Sequence, residues 1–215
     1  MKYQKILRLL PGLIGAASCW WMAATLFRAW QTPMAVEGGR WVHLGVGIMV
    51  LEFILVHSGV MLPALASAPT GVRLKPLLLV SALYVLFAVT FAFGFKSLML
   101  LWIFSGIMIP RWIGIVIDSR QAKEQQLKRS GISVMLYLGV AFLSMLVHFP
   151  AGGLTPEILN RVYPHRGHGS WEQSPQQALV AGIIYFSITG LVEIITAIRQ
   201  RAINLSPQTQ IDLSR

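Results

Sequence analysis

The sequence predicts an all-α fold: a polytopic transmembrane helical bundle of six spans with both termini in the cytoplasm. Three observations carry that expectation. Only 12% of the 215 residues are charged and 55% are hydrophobic, whereas a soluble domain carries about 25% charged residues. The apolar residues gather into six runs near the length of about 20 that crosses a bilayer. Lysine and arginine divide unequally between alternate loops, which is the signature of membrane orientation. A mean hydropathy of +0.63 also excludes a disordered chain.

The first run covers 9–27 and contains no charge. Lys2, Lys5 and Arg8 before it resemble the start of a signal peptide, and Ala16-Ala17-Ser18-Cys19 resembles a weak lipoprotein cleavage site. The apolar run continues past Cys19 to Phe27, so a retained first span is expected. Cleavage at Cys19 would leave five spans. Cys19 is the only cysteine, which rules out an intrachain disulfide or a cysteine-rich metal site.

The second run, 42–66, holds Glu52 and His57; the third, 76–95, is uncharged. Gly94 and Lys96 mark a tight hairpin into the fourth run, 97–117, which is interrupted by Arg111. Residues 118–130 are rich in strong helix formers and are expected to extend the fourth helix into the cytoplasm until Gly131 breaks it. The fifth run, 132–149, ends near His148, and the sixth, 178–198, encloses Glu193. The 150–177 connection is long for a compact domain, and such loops are often functional or disordered. Residues 1–204 are read as one six-helix domain and 205–215 as a flexible cytoplasmic tail.

Twelve lysines and arginines fall on the side of the termini and five on the other, with Arg111 inside a span. That bias places both termini in the cytoplasm. The net charge of +10 is therefore mainly an orientation signal and a source of attraction to anionic headgroups. Basic residues are scattered between apolar runs rather than clustered on one face, so no nucleic acid is expected. The expected partners are the lipid bilayer and a second membrane protein. Compactness and the lack of other targeting signals suggest a bacterial inner membrane.

Two polar constellations stand out. Ionisable residues within a membrane are costly and usually face a bundle interior or cavity. At 1.5 Å per residue, His57, Arg111 and Glu193 fall about 21–22 Å from the outer side and Glu52 about 15 Å. One expectation is that Arg111 pairs with Glu193, with His57 and Thr189 as interhelical glue. Another is a proton relay or anion-recognition site, with Glu52 as the mobile protonatable group and His57 as a second member. Glu52 and His57 are about 140° apart around their helix and do not share a face. Gly45, Glu52 and Gly59 recur at heptad spacing, which predicts close approach of another helix beside Glu52.

The second constellation lies on the outer side, where His43, His148, His165 and His168 collect with Glu157 and Glu172. Imidazole and carboxylate sets suit transition metals, so these six are the candidate ligands for zinc or copper. One b-type haem held by His43 and His148 is a further variant. No phosphate-binding loop, dinucleotide fingerprint, zinc-protease motif or nucleophile elbow occurs. The residues thus support three readings: a metal or metal-redox site at the outer face, a small proton-coupled transporter using Glu52, His57, Arg111 and Glu193, or a non-catalytic membrane subunit or scaffold.

Overall fold

The computed structural model describes residues 10–67, 70–117, 120–164 and 167–203. Every regular element among them is helical. Six long helices are present among them: α1 (Leu10–Gln31), α2 (Arg40–Ala66), α3 (Thr70–Gly94), α4 (Met99–Ile117), α5 (Arg120–Leu146) and α8 (Pro175–Ile203). Short helices α6 (Pro156–Val162) and α7 (Ser170–Gln173) lie between α5 and α8. The expected signal-peptide residues Lys2, Lys5 and Arg8, the tail 205–215 and His165 lie outside the described residues.

Four helical stretches are long and apolar enough to cross a membrane: Glu37–Ala66, Leu74–Gly94, Gln126–Leu146 and Pro175–Arg199. Helix α4 offers a shorter apolar stretch, Met99–Ile115. Helix α1 has 22 residues, about 33 Å at the usual helical rise.

Helix α2 is the central pillar, packed against α1, α3, α4, α5 and α8. Of its apolar stretch, 56% is buried within the protein, against 17% for α3 and 22% for α5. Its sequence suits that place, because it is apolar around its whole circumference. At Gly45 a Cβ would overlap the Leu179 side chain and lie 3.0 Å from Leu26 Cδ2. The bare backbone therefore lets α1 and α8 close on α2. The outward faces of α3, α4 and α5 present Phe93, Trp102 and Met135, each at least 75% exposed. Water would penalise such faces; hydrocarbon does not.

The predicted helix break at Gly131 does not occur. Helix α5 runs without interruption from Arg120 to Leu146, so the polar helix formers extend α5 rather than α4. One interior glycine costs about 1 kcal/mol relative to alanine. The flanking helix formers and the burial of Tyr137 and Val140 outweigh it. The α3–α4 hairpin forms where expected. Lys96 takes a left-handed φ of 47°, and Phe95 turns into the core.

The long connection is ordered over 150–164 and closes one end of the bundle. Gly153 N donates to the Trp30 carbonyl at 2.9 Å, and Trp30 Nε1 donates to the Pro150 carbonyl at 2.9 Å. Its own Leu154, Leu159 and Tyr163 are buried. Gly152 provides the left-handed turn, with φ 63°. This α6–α7 end is opposite the α4–α5 end.

Candidate functional site

Polar side chains of α4, α5 and α8 reach α2 at separate points. Glu52 projects toward α8, where Tyr185 Oη donates to its Oε1 at 2.7 Å. Tyr185 also packs edge-on against Tyr137 of α5, with ring centroids 5.6 Å apart. Tyr137 Oη in turn donates to the Met49 carbonyl of α2 at 2.6 Å. Glu52 thus sits where α2, α5 and α8 meet. The heptad of Gly45, Glu52 and Gly59 foretold this close approach: Gly45 abuts Leu179 of α8, and Gly59 abuts Ser130 of α5.

Helix α8 carries Tyr185, Thr189 and Glu193 at four-residue spacing, which places them on one face. They descend about 12 Å along the helix from the level of Glu52 toward the α4–α5 end. There a cleft of about 80 Å³ opens between α5 and α8. Arg129, Ser133, Thr189, Glu193 and Thr196 supply its polar lining. Two or three waters would fill such a volume at about 30 Å³ each. From the α1 side, Gly15 packs near the Glu193 carboxylate, which would lie 3.9 Å from a Cβ there. Cys19, one turn further along α1, is partly buried.

Arg111 occupies a different face. Its Nη1 donates to the Leu55 carbonyl and to Ser58 Oγ at 2.5 Å. The Ser58 hydroxyl donates to the Leu55 carbonyl at 2.8 Å and lies 3.2 Å from Met108 Sδ. Together these contacts clip α4 to α2. The expected Arg111–Glu193 pair does not form. Among the described residues the ion pair within 4.0 Å is Arg40–Glu37, at 4.0 Å on the surface. Glu193 faces α1 and α5, whereas the Arg111 head group has crossed to α2, so helix rotation separates groups of similar depth. His57 joins neither: its Nδ1 lies 2.7 Å from the Phe53 carbonyl one turn back, and its ring packs on Phe53 at 4.2 Å.

At the α6–α7 end, His43 is held between two aromatic rings, Phe95 at 4.9 Å and Tyr163 at 4.6 Å. His148 and His168 are exposed, as is Glu157. Glu172 accepts from Gly169 N at 3.1 Å, capping its own short helix. No three His, Cys, Asp or Glu side chains among the described residues converge on a point that could hold a metal ion.

Sequence reasoning passed over Tyr137, Tyr185 and Ser130. The four-residue spacing of Tyr185, Thr189 and Glu193 was the available signal for the first contact of Glu52. Nothing in the α5 sequence marks Tyr137 or Ser130 beyond their polarity among apolar neighbours.

The helices are apolar enough for a multi-pass membrane protein, and that is the class the fold defines. Compared with known proteins, the chain matches no family model, no curated protein and no solved structure.

Proposed function

We propose that the chain is a six-span, proton-coupled membrane transporter in which Glu52 carries the proton, with both termini on the cytoplasmic side of a bacterial inner membrane. One observation carries this reading. The Glu52 carboxyl, bonded to Tyr185, stands at the head of the polar face formed by Tyr185, Thr189 and Glu193, and that face leads into the α5–α8 cleft. A carboxyl inside a membrane is costly and typically faces a cavity or relay. Here the Tyr185 hydroxyl is bonded to it, and Thr189 and Glu193 further along the same face line the cleft. The bias of basic residues toward the termini and the α4–α5 connection supports the orientation.

Infrared difference spectra of the protein reconstituted in liposomes test the reading. A protonated-carboxyl band that appears and disappears reversibly with pH is expected, absent in Glu52→Gln and slower to respond in Thr189→Val. A band that survives in Glu52→Gln, or no such band in the wild type, refutes it. The hydrogen bonds from Tyr137 and Arg111 to α2 carbonyls favour a second reading, a non-catalytic membrane subunit held together by interhelical polar bonds. On that reading Glu52→Gln lowers stability and no carboxyl band responds to pH.

A further inference from the structure

We infer that the cleft between α1, the 33–39 turn and the start of α4 binds a zwitterionic phospholipid headgroup, with the phosphate on Arg28 and the ammonium beside Glu37. The cavity there measures about 300 Å³, within the range of small-ligand sites. Helix α1 gives it Trp21, Thr25 and Arg28, whose spacings of four and three residues put them on one helix face. From Trp21 to Arg28 this face climbs about 10 Å. Glu37 enters from the turn, Trp41 from the first turn of α2 and Met99 from the first turn of α4.

Charges of both signs line this one cavity without neutralising each other. Arg28 is exposed and forms no ion pair within 4.0 Å among the described residues. Glu37 Oε2 stands 4.0 Å from Arg40 Nη1, at the limit of an ion pair, and both of these side chains are exposed. Glu37 also takes a left-handed φ of 46°, uncommon for a residue with a side chain, and strain of this kind collects at ligand-binding positions. Gly39, at φ 91°, pins the turn against α6, where a Cβ would overlap the Val162 side chain. A guanidinium takes a phosphate through paired N–H donors. An ammonium is attracted both to a carboxylate and to an indole face. Trp21 is 59% exposed and meets Trp41 edge to face, with ring centroids 5.9 Å apart. The Thr25 hydroxyl donates to the Trp21 carbonyl at 2.9 Å, which leaves its oxygen as an acceptor.

Position selects a lipid over a soluble zwitterion. The apolar stretches Glu37–Ala66 and Met99–Ile115 both begin at residues of the cavity wall. In a multi-pass arrangement that is the level where headgroups meet hydrocarbon. Trp21 and Phe27 of α1 are exposed and offer apolar surface to acyl chains, and tryptophan is enriched at this interface. The headgroup site goes beyond the transporter reading and shares no residue with the Glu52 path, so either can fail alone.

The test uses the full chain, purified in detergent and incubated with equal amounts of phosphatidylethanolamine and phosphatidylglycerol of matched acyl chains. Native mass spectrometry reads the lipid retained, and an excess of phosphatidylethanolamine is expected. Arg28→Gln removes the charge-assisted contact to phosphate and should lower that retention about tenfold. Trp21→Leu should lower it about threefold. Glu37→Gln should abolish the preference for the zwitterion without lowering retention of phosphatidylglycerol. Arg161→Gln, at an exposed position of α6 outside the cavity, is the control and should change nothing. In a second arm, free phosphoethanolamine at about tenfold excess over lipid should leave the lipid bound. Equal retention of the two lipids by wild type, retention unaffected by Arg28→Gln, or a preference that survives Glu37→Gln overturns the inference. Displacement of the lipid by phosphoethanolamine overturns the headgroup assignment in favour of a soluble zwitterion.

Discussion

The Glu52–Tyr185 bond can be weighed directly by a double-mutant cycle of Glu52→Gln, Tyr185→Phe and the pair. The 2.7 Å contact joins α2 to α8; Tyr185 lies in the packed interior at 2% exposed, and Glu52 is partly buried. Interhelical side-chain bonds in membrane proteins couple by about 0.6 kcal/mol on average and about 1.7 at most. This bond belongs toward the upper value, because Tyr185→Phe leaves the carboxyl facing a ring edge rather than a hydroxyl. Glu52→Gln keeps an acceptor oxygen for Tyr185, so it should cost less stability than Tyr185→Phe. At about 2–4 °C per kcal/mol for a chain of this size, the Tyr185→Phe variant should melt a few degrees below wild type. Thermal unfolding in detergent, followed by tryptophan fluorescence, measures all four proteins. A coupling energy indistinguishable from zero, with single effects that simply add, would refute the claim that this bond ties α2 to α8.

Other substitutions probe other joints. Gly59→Ala would place a methyl 2.7 Å from Ser130 Oγ, and overpacking of about 1–3 kcal/mol should lower the melting temperature; an unchanged melting curve would mean that α5 has room to retreat. Gly153→Ala would drive a methyl into the Gln31 carbonyl and to 2.9 Å from Pro33 Cδ, so hydrogen exchange over 150–164 should accelerate while α2 stays protected. Lys96→Gly relieves a left-handed residue at φ 47°, a strain of about 1–2 kcal/mol, and should raise thermal stability; a loss would indicate that the lysine side chain itself stabilises the hairpin. Reporter fusions at both ends should show activity only on the cytoplasmic side, and opposite signals from the two ends would exclude an even number of spans.

Much of the frame is readable from residue order, because a helix in hydrocarbon must satisfy its own backbone and so announces itself by apolar length. The six apolar runs correspond to α1, α2, α3, α4, α5 and α8, and the Gly94–Lys96 hairpin falls at its expected place. Boundaries were harder. Residues 118–130 read as helix-forming, but helix propensity does not say which neighbour the segment continues, and Gly131 was too weak a stop to separate it from α5. The site was partly legible. Glycine spacing on α2 pointed to a close neighbour beside Glu52, and Gly59 indeed admits Ser130 and Arg111.

Position along each helix followed from counting residues; direction around each helix did not. His57, Arg111 and Glu193 were aligned by depth, yet His57 turns to its own backbone, Arg111 to α2, and Glu193 to α1 and α5. Rotation about each axis is set by side-chain packing between helices, which a single sequence does not display. The same holds for His43, whose aromatic partners Phe95 and Tyr163 come from a hairpin and a loop distant in sequence.

By itself the sequence determined that this protein is built of apolar helices, where most of them begin and turn, and that a few charges are held among them. Those properties depend on local composition and on the 1.5 Å rise of a helix. Only the tertiary structure decided that α2 is the central pillar, that Glu52 meets Tyr185, and that Arg111 faces Ser130 across Gly59 rather than Glu193. Such pairings depend on which helix faces which, and that is settled when interior surfaces fill space together.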